Sequence, residues 1–334
     1  MPAVAEHPDY LSQLDDVDVT QTAVIGKTTT VADASEPDDV PLPPLGAFLG
    51  RCRLRTHMAA GRNSAVYLGE LWDLQIPVAV KVLAPRRKGD RHVLASHLRA
   101  EFQILSRLSH ANVARLWDYR DDPESPHLAT EYVESMTLEA LRTSHGGRLT
   151  PKLAIRIALK TLDALAAAWR LGFAHRDIKP DNLLVTPFGD VKVIDWGMVG
   201  EIGHELPPTP SAETIRFLGS PAYLPPEMAR PNRPFDHRTD MYGLGATLYH
   251  VVTGRLPFSH KKPTQMVLAH MNEMPVPPLD HVQEPGMLRL TDIILRLMAK
   301  NPADRFERPD ELREELTRSL AECTSSQSKF VRVR

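Results

Sequence analysis

His175-Arg176-Asp177-Ile178-Lys179-Pro180-Asp181-Asn182-Leu183-Leu184 sets a carboxylate, an ammonium and a carboxamide in one short loop. Asp177 is able to take a proton from a hydroxyl group, and Lys179 to neutralise negative charge that develops beside it. Asn182, five residues beyond Asp177, offers an amide oxygen of the kind that hard divalent cations accept. Asp195-Trp196-Gly197 begins thirteen residues after Asn182 and adds a carboxylate ligand next to a flexible glycine.

The rest of the chain is composed like a globular protein. Of its 334 residues, 42% are hydrophobic and 25% charged, enough apolar content for one large domain or two ordinary ones. A formal net charge of -2 argues against nucleic acid or an anionic membrane as the main partner. The two cysteines, Cys52 and Cys323, stand at opposite ends, which excludes a disulfide framework and fits a reducing compartment. The apolar stretch from Leu159 to Phe173 is broken by Lys160, Asp163 and Arg170, so it predicts a core helix and no membrane span. With no apolar signal-peptide stretch at the start, the reading is a cytoplasmic protein.

Composition changes near residue 47. Nine acidic residues between Glu6 and Asp39 face one base, Lys27, among clustered threonines and prolines. Residues 1–47 therefore read as a disordered, threonine-rich leader. Three β-like segments follow, around Arg51 to His57, Ala65 to Trp72 and Pro77 to Leu83. Leu94, Leu98, Phe102 and Leu105 form a helical stripe within His92 to Leu108, and two strands fit Ala114 to Tyr119 and His127 to Tyr132. Beyond Thr137 the pattern turns helical, with helices expected at Leu153 to Leu171, Asp240 to Thr253, Thr264 to Met271, Leu288 to Met298 and Arg308 to Leu320. Strands first and helices second describe two lobes with a cleft between them, joined near Glu131 to Ser135.

The loop at His175 to Leu184, Asp195-Trp196-Gly197, Val78-Ala79-Val80-Lys81 and Gly219 to Glu227 occur in the order and spacing of one family. Together they resemble the eukaryotic-type serine/threonine protein kinases, most of all the bacterial members. The resemblance runs from about Arg51 to Leu320. It implies an α+β, two-lobed fold: an N-lobe at 48–133, a helical C-lobe at 134–322 and a short tail at 323–334. It also implies transfer of the γ-phosphate of ATP, with Mg²⁺ or Mn²⁺, to serine or threonine hydroxyls of protein substrates.

Residue by residue, the resemblance assigns Asp177 as the base, Lys179 as its electrostatic partner, and Asn182 and Asp195 as metal ligands. Lys81 and Glu101 become the ion pair that holds the nucleotide phosphates. Val66, Ala79 and Leu184 would sandwich the adenine, with Thr130 behind it and Glu131 and Val133 at the hinge. The glycine-rich loop is eroded: it aligns with Ala59, Gly61 and Ser64, and only the middle glycine remains. Trp196 stands where the family has phenylalanine and is expected to stack with Leu105, Leu116 and His175. Ser220 is expected to bridge Asp177 and Lys179, and Glu227 to pair with Arg305. Arg176 marks a kinase regulated by loop phosphorylation, with Thr214 as the expected main autophosphorylation site and Thr209 and Ser211 as alternatives. Thr22 and Thr28 have a spacing that phosphothreonine-reading FHA domains accept. The eroded loop leaves a second reading open, a pseudokinase or scaffold with weak or no catalysis. A third, a small-molecule phosphotransferase, fits less well because the segment from Ser220 to Glu227 is present.

Overall fold

The computed structural model describes residues 42–61, 64–83, 91–122, 125–204, 220–230 and 234–330. Most of the expected leader, and Thr214 with it, lies outside the described residues. Six antiparallel strands build the first lobe in the order β1-β2-β3-β4-β6-β5. They are β1 (Phe48–Leu49), β2 (Cys52–Ala60), β3 (Ser64–Leu71), β4 (Ile76–Leu83), β5 (Leu116–Arg120) and β6 (His127–Glu131). Period-2 alternation sorts their side chains into two faces. Ala65, Tyr67, Val78, Val80, Val82 and Ala129 close a small core with Leu54 and Leu71. The opposite parity carries Val66, Ala79, Lys81 and Thr130, all half-buried. Register binds this set together, since Val66 lies opposite Lys81 and Ala79 opposite Thr130.

Helix α1 (Arg91–Leu105) buries Leu94, Leu98, Glu101, Ile104 and Leu105. The stripe departs from the expected one: Glu101 and Ile104 take inward places, and Phe102, half-buried, stacks on Tyr119 at 4.3 Å. A carboxylate on an apolar stripe requires a cation, which Lys81 provides.

The second lobe comprises β7 (Met136–Thr137), α2 (Leu138–Ser144), α3 (Pro151–Arg170), β8 (Phe173–Ala174), β9 (Leu183–Val185), β10 (Val191–Val193) and β11 (Gly200–Glu201). It continues through α4 (Arg238–Thr253), α5 (Pro263–Asn272), α6 (Pro278–His281), α7 (Met287–Leu297) and α8 (Pro309–Phe330). Thr150 caps α3 by accepting from Leu153 N–H, with Pro151 in the first turn. The strand order β10-β9-β7 forms a small three-stranded sheet.

Helix α4 is buried along its whole length and ends at Gly254, whose φ of 72° provides the left-handed cap. Close packing against α4 depends on missing side chains: a Cβ on Gly243 would sit 3.1 Å from the Ile178 carbonyl oxygen, and one on Gly245 2.6 Å from Leu297 Cβ. The first contact presses the loop between β8 and β9 onto α4. The α8 helix, expected to end near Leu320, continues to Phe330 and takes up most of the expected tail. No proline or glycine interrupts the sequence after Pro309. Among the described residues no helix is long and apolar enough to cross a membrane.

Candidate active site

Strand β4, helix α1 and the turn after β10 converge on one ammonium group. Lys81 Nζ donates to Glu101 Oε2 at 2.7 Å and to Asp195 Oδ1 at 2.6 Å. Burial alone would pull the lysine down, but the Asp195 and Glu101 carboxylates outweigh it and hold it above its usual range. Burial pushes Glu101 up, with Lys81 opposing. On Asp195 burial acts upward as well, and Lys81 overrides it, keeping that carboxyl well below the usual range. Glu101 Oε1 also accepts Trp196 N–H at 3.1 Å, so one helix carboxylate ties down both the lysine and the turn after Asp195.

The loop between β8 and β9 brings its polar groups together. Lys179 Nζ donates to Asp177 Oδ2 at 2.8 Å, and Asn182 Nδ2 donates to the same oxygen at 3.0 Å and to the Asp177 carbonyl at 2.8 Å. Burial would lower Lys179, but Asp177 beside it carries the ammonium above its ordinary range. Asn182 thus spends its NH₂ on the loop, and its amide oxygen makes no hydrogen bond among the described residues. One Asp195 oxygen is likewise left after Lys81 takes the other, on a side chain 43% exposed. An amide oxygen and a carboxylate oxygen are the hard ligands that a divalent cation of the magnesium class takes.

Asp240, 1% exposed on α4, anchors this loop. Its Oδ2 accepts His175 N–H at 2.8 Å and its Oδ1 accepts Arg176 N–H at 2.7 Å. Arg176 and Asp195 adopt positive φ angles of 68° and 61°. For residues with a Cβ such strain costs about 1–3 kcal/mol each and persists only where neighbours impose it. The Arg176 side chain donates from Nε to the Met198 carbonyl and from Nη2 to the Val199 carbonyl, and lies 4.8 Å from the Phe235 ring centre. Gly200 permits this, since a Cβ there would come within 2.7 Å of Arg176 Cζ. Burial lowers the guanidinium to about 10, and its Nη1 has no hydrogen-bond partner among the described residues.

Trp196 is wholly buried and tilts against His175 at 4.5 Å, in the same apolar cluster as Leu105, with Leu116 packed against it. Its indole N–H points to the Val193 carbonyl at 3.4 Å, a long bond that phenylalanine would lack. Trp196→Phe is expected to lower stability by about 1–2 kcal/mol, through a small void and that lost bond. Urea denaturation of the two proteins checks this, and equal midpoints would show that the extra ring contributes nothing.

At the hinge, Glu131 N–H is committed to the Arg115 carbonyl at 2.7 Å, and the Glu131 carboxylate pairs with Lys192 at 2.8 Å across the lobes. Val133 N–H has no partner among the described residues. Leu184 is half-buried on β9, the central strand of the lower sheet. Ala59 and Gly61 end β2 and begin the turn closed by Gly61 N–H on the Ser64 carbonyl at 2.8 Å. A Cβ on Gly61 would meet that carbonyl at 3.4 Å, ordinary contact, so the turn itself does not demand glycine. Ser220 approaches Asp177 Oδ1 through its backbone N–H, at 3.5 Å.

Two buried histidines, His250 and His270, support the segment after Ser220. His270 Nε2 is 3.0 Å from the Ala222 carbonyl, which can only accept. Nδ1 must therefore accept from the Tyr242 hydroxyl at 2.8 Å. His250 Nδ1 meets the Tyr223 hydroxyl at 2.7 Å. Burial pushes His270 down to about 3 and His250 to about 4. Unfolded, both protonate near 6.5, so between there and pH 4 the unfolded chain binds more protons. Their contribution is complete above pH 6.5 and is lost as pH falls, by up to about 1.4 kcal/mol per unit for each ring. His270→Gln should flatten that acid slope in denaturation measured from pH 7 to 4.5, and an unchanged slope would exclude His270 as its source.

The family described as the protein kinase domain matches residues 53–316. The chain belongs to that family. It is 32% identical to the probable serine/threonine-protein kinase PknB of Corynebacterium glutamicum over 80% of this chain and 42% of that protein. It is also 32% identical to the serine/threonine-protein kinase PrkC of Bacillus subtilis, over 79% of this chain and 39% of the relative. A third, PknL of Mycobacterium tuberculosis, is 32% identical over 77% of this chain and 62% of its own length. The chain therefore spans between two fifths and three fifths of these relatives.

Proposed function

We propose that this chain is an active serine/threonine protein kinase that transfers the γ-phosphate of ATP to protein hydroxyls. One observation carries the reading: a single lysine, Lys81, bonds at once to Glu101 and Asp195, beside a fully assembled Asp177, Lys179 and Asn182. Lys81 then faces the nucleotide phosphates, with Val66, Ala79, Thr130 and Leu184 around the adenine and Val133 N–H available to it. Ala59, Gly61 and Ser64 cover the phosphates. Asp177 orients the substrate hydroxyl and accepts its proton, and Lys179 stabilises the charge that builds on the transferring group. Mg²⁺ or Mn²⁺ held by Asn182 and Asp195 would neutralise phosphate charge. An assembled constellation favours catalysis over a scaffold role, whatever the eroded loop does to affinity.

Regulation follows the same logic. Phosphate on Thr214 would pair with Arg176, whose Nη1 has no hydrogen-bond partner among the described residues, and would settle the segment leading to Ser220. Thr22 or Thr28, once phosphorylated, would offer an FHA-domain partner its ligand. Two free cysteines and no spanning helix among the described residues support a cytoplasmic setting. Transfer of labelled γ-phosphate to the chain itself and to a basic acceptor protein tests the function, with Lys81→Met alongside. Transfer that disappears in the variant is expected. Equal transfer by both proteins would defeat the assignment.

A further inference from the structure

Lys300, just beyond the end of α7, turns its ammonium group onto the last turn of α5. Nζ donates to the His270 carbonyl at 2.7 Å, with longer contacts of 3.4 Å to the Ala269 carbonyl and to the Tyr242 hydroxyl. It lies 4.6 Å from the Phe258 ring centre and 5.7 Å from that of Tyr242. We propose that Lys300 is a positioning residue for the acceptor polypeptide. It heads a one-way chain of hydrogen bonds, through Tyr242 and His270, that fixes the Ala222 carbonyl in the turn next to Asp177. The inference rests on the kinase reading for its catalytic consequence, though not for its structural one.

The direction of every bond in the chain is determined. An ammonium only donates, so the Tyr242 oxygen accepts from Lys300 and its own hydrogen goes to His270 Nδ1 at 2.8 Å. The N–H of the ring is then Nε2, which donates to the Ala222 carbonyl at 3.0 Å. Bonds that point the same way polarise one another, so a cation at the head strengthens the bond at the far end. Phe258 meets the His270 ring edge-on at 4.8 Å, and the ring is wholly buried. Packing holds the ring in its slot, and the chain fixes which nitrogen carries the proton.

Lys300 also grips the backbone of the same histidine. The His270 carbonyl falls in the last turn of α5, which ends at Asn272, where helical N–H donors run out. A cation there satisfies the carbonyl and complements the helix dipole. Burial, and then Arg305, pull the ammonium down to about 8 while Glu273 opposes them, so it remains charged at neutral pH. Ala222 belongs to the short turn Pro221–Tyr223, which follows Ser220, whose N–H approaches Asp177 Oδ1 at 3.5 Å. A polypeptide that brings a hydroxyl to Asp177 meets this turn, and its fit depends on how firmly the turn is held.

Lys300→Met keeps the length of the side chain and removes its charge and donors, whereas Lys300→Gln keeps a donor without the charge. In the intact chain, Lys300→Met is expected to raise KM for a protein acceptor about 3–20-fold. KM for ATP should stay within about twofold of wild type and kcat within about threefold. Amide hydrogen exchange should accelerate at Glu273, whose N–H closes α5, and at Tyr223, whose N–H closes the turn on the Ser220 carbonyl. Lys300→Gln should fall between the two on each readout, and it carries the test if Lys300→Met fails to fold. An unchanged KM for the acceptor, both KM values rising together, or faster exchange confined to Glu273 would each overturn the proposal. A wild-type chain without transfer would count against the kinase reading, while exchange at Tyr223 would still decide whether the chain of bonds runs from Lys300 to the turn.

Discussion

Asp177→Asn is expected to lower phosphoryl transfer by about 10²–10⁴-fold while nucleotide binding survives. The carboxamide keeps the shape of the side chain but cannot take up a proton. It also replaces an anion that accepts from Lys179 at 2.8 Å and from Asn182 at 3.0 Å with a neutral group. None of the groups assigned to the nucleotide is touched: Lys81 keeps Glu101 and Asp195, and the sheet face around Val66 and Ala79 is unaltered. Steady-state kinetics and nucleotide titration of the same preparation separate the two effects. A variant within tenfold of wild type would place the proton acceptor elsewhere, and one that failed to bind nucleotide would mean that the loop had collapsed.

Arg305→Met is expected to cost about 3–5 kcal/mol of stability. Arg305 Nη1 and Nη2 meet the two Glu227 oxygens at 2.7 and 2.8 Å, with side chains 0% and 6% exposed. Two further donors go to the Ala299 and Arg238 carbonyls, and the Thr239 hydroxyl donates to Glu227. Removing the cation strands a carboxylate away from water, and that penalty exceeds the worth of the pair itself. The double variant Glu227→Leu with Arg305→Met should therefore regain much of the loss. Guanidinium denaturation of the three proteins decides it. A single variant within about 1 kcal/mol of wild type would mean that water reaches the site.

The major elements were legible because their periodicity is strong: the strands alternate cleanly and α3 and α4 are long and apolar. Short strands such as β7, β8 and β11, of two residues each, carry no periodic signal and exist only through their partners. Glu101 was assigned to Lys81 by resemblance, yet its inward place was missed, since an apolar stripe read from hydropathy passes over a carboxylate in favour of Phe102. Trp169, whose indole N–H donates to Asp240, drew no notice for a related reason. It looks like one more apolar residue of a core helix, and that partner stands 71 positions away.

The two apolar clusters are unequal. The one enclosed by the strands has ten buried members, whereas the other runs from α1 through all the large helices. Lys81 belongs to the strand that walls the lesser cluster, and α4 holds the backbone on either side of Asp177, at Arg176 and Ile178. Heat should then dismantle the catalytic assembly by a partial opening before the helical body gives way. Inactivation and the main calorimetric transition would fall at different temperatures, and thermal tolerance of the helices would be no guide to how long the chain stays functional.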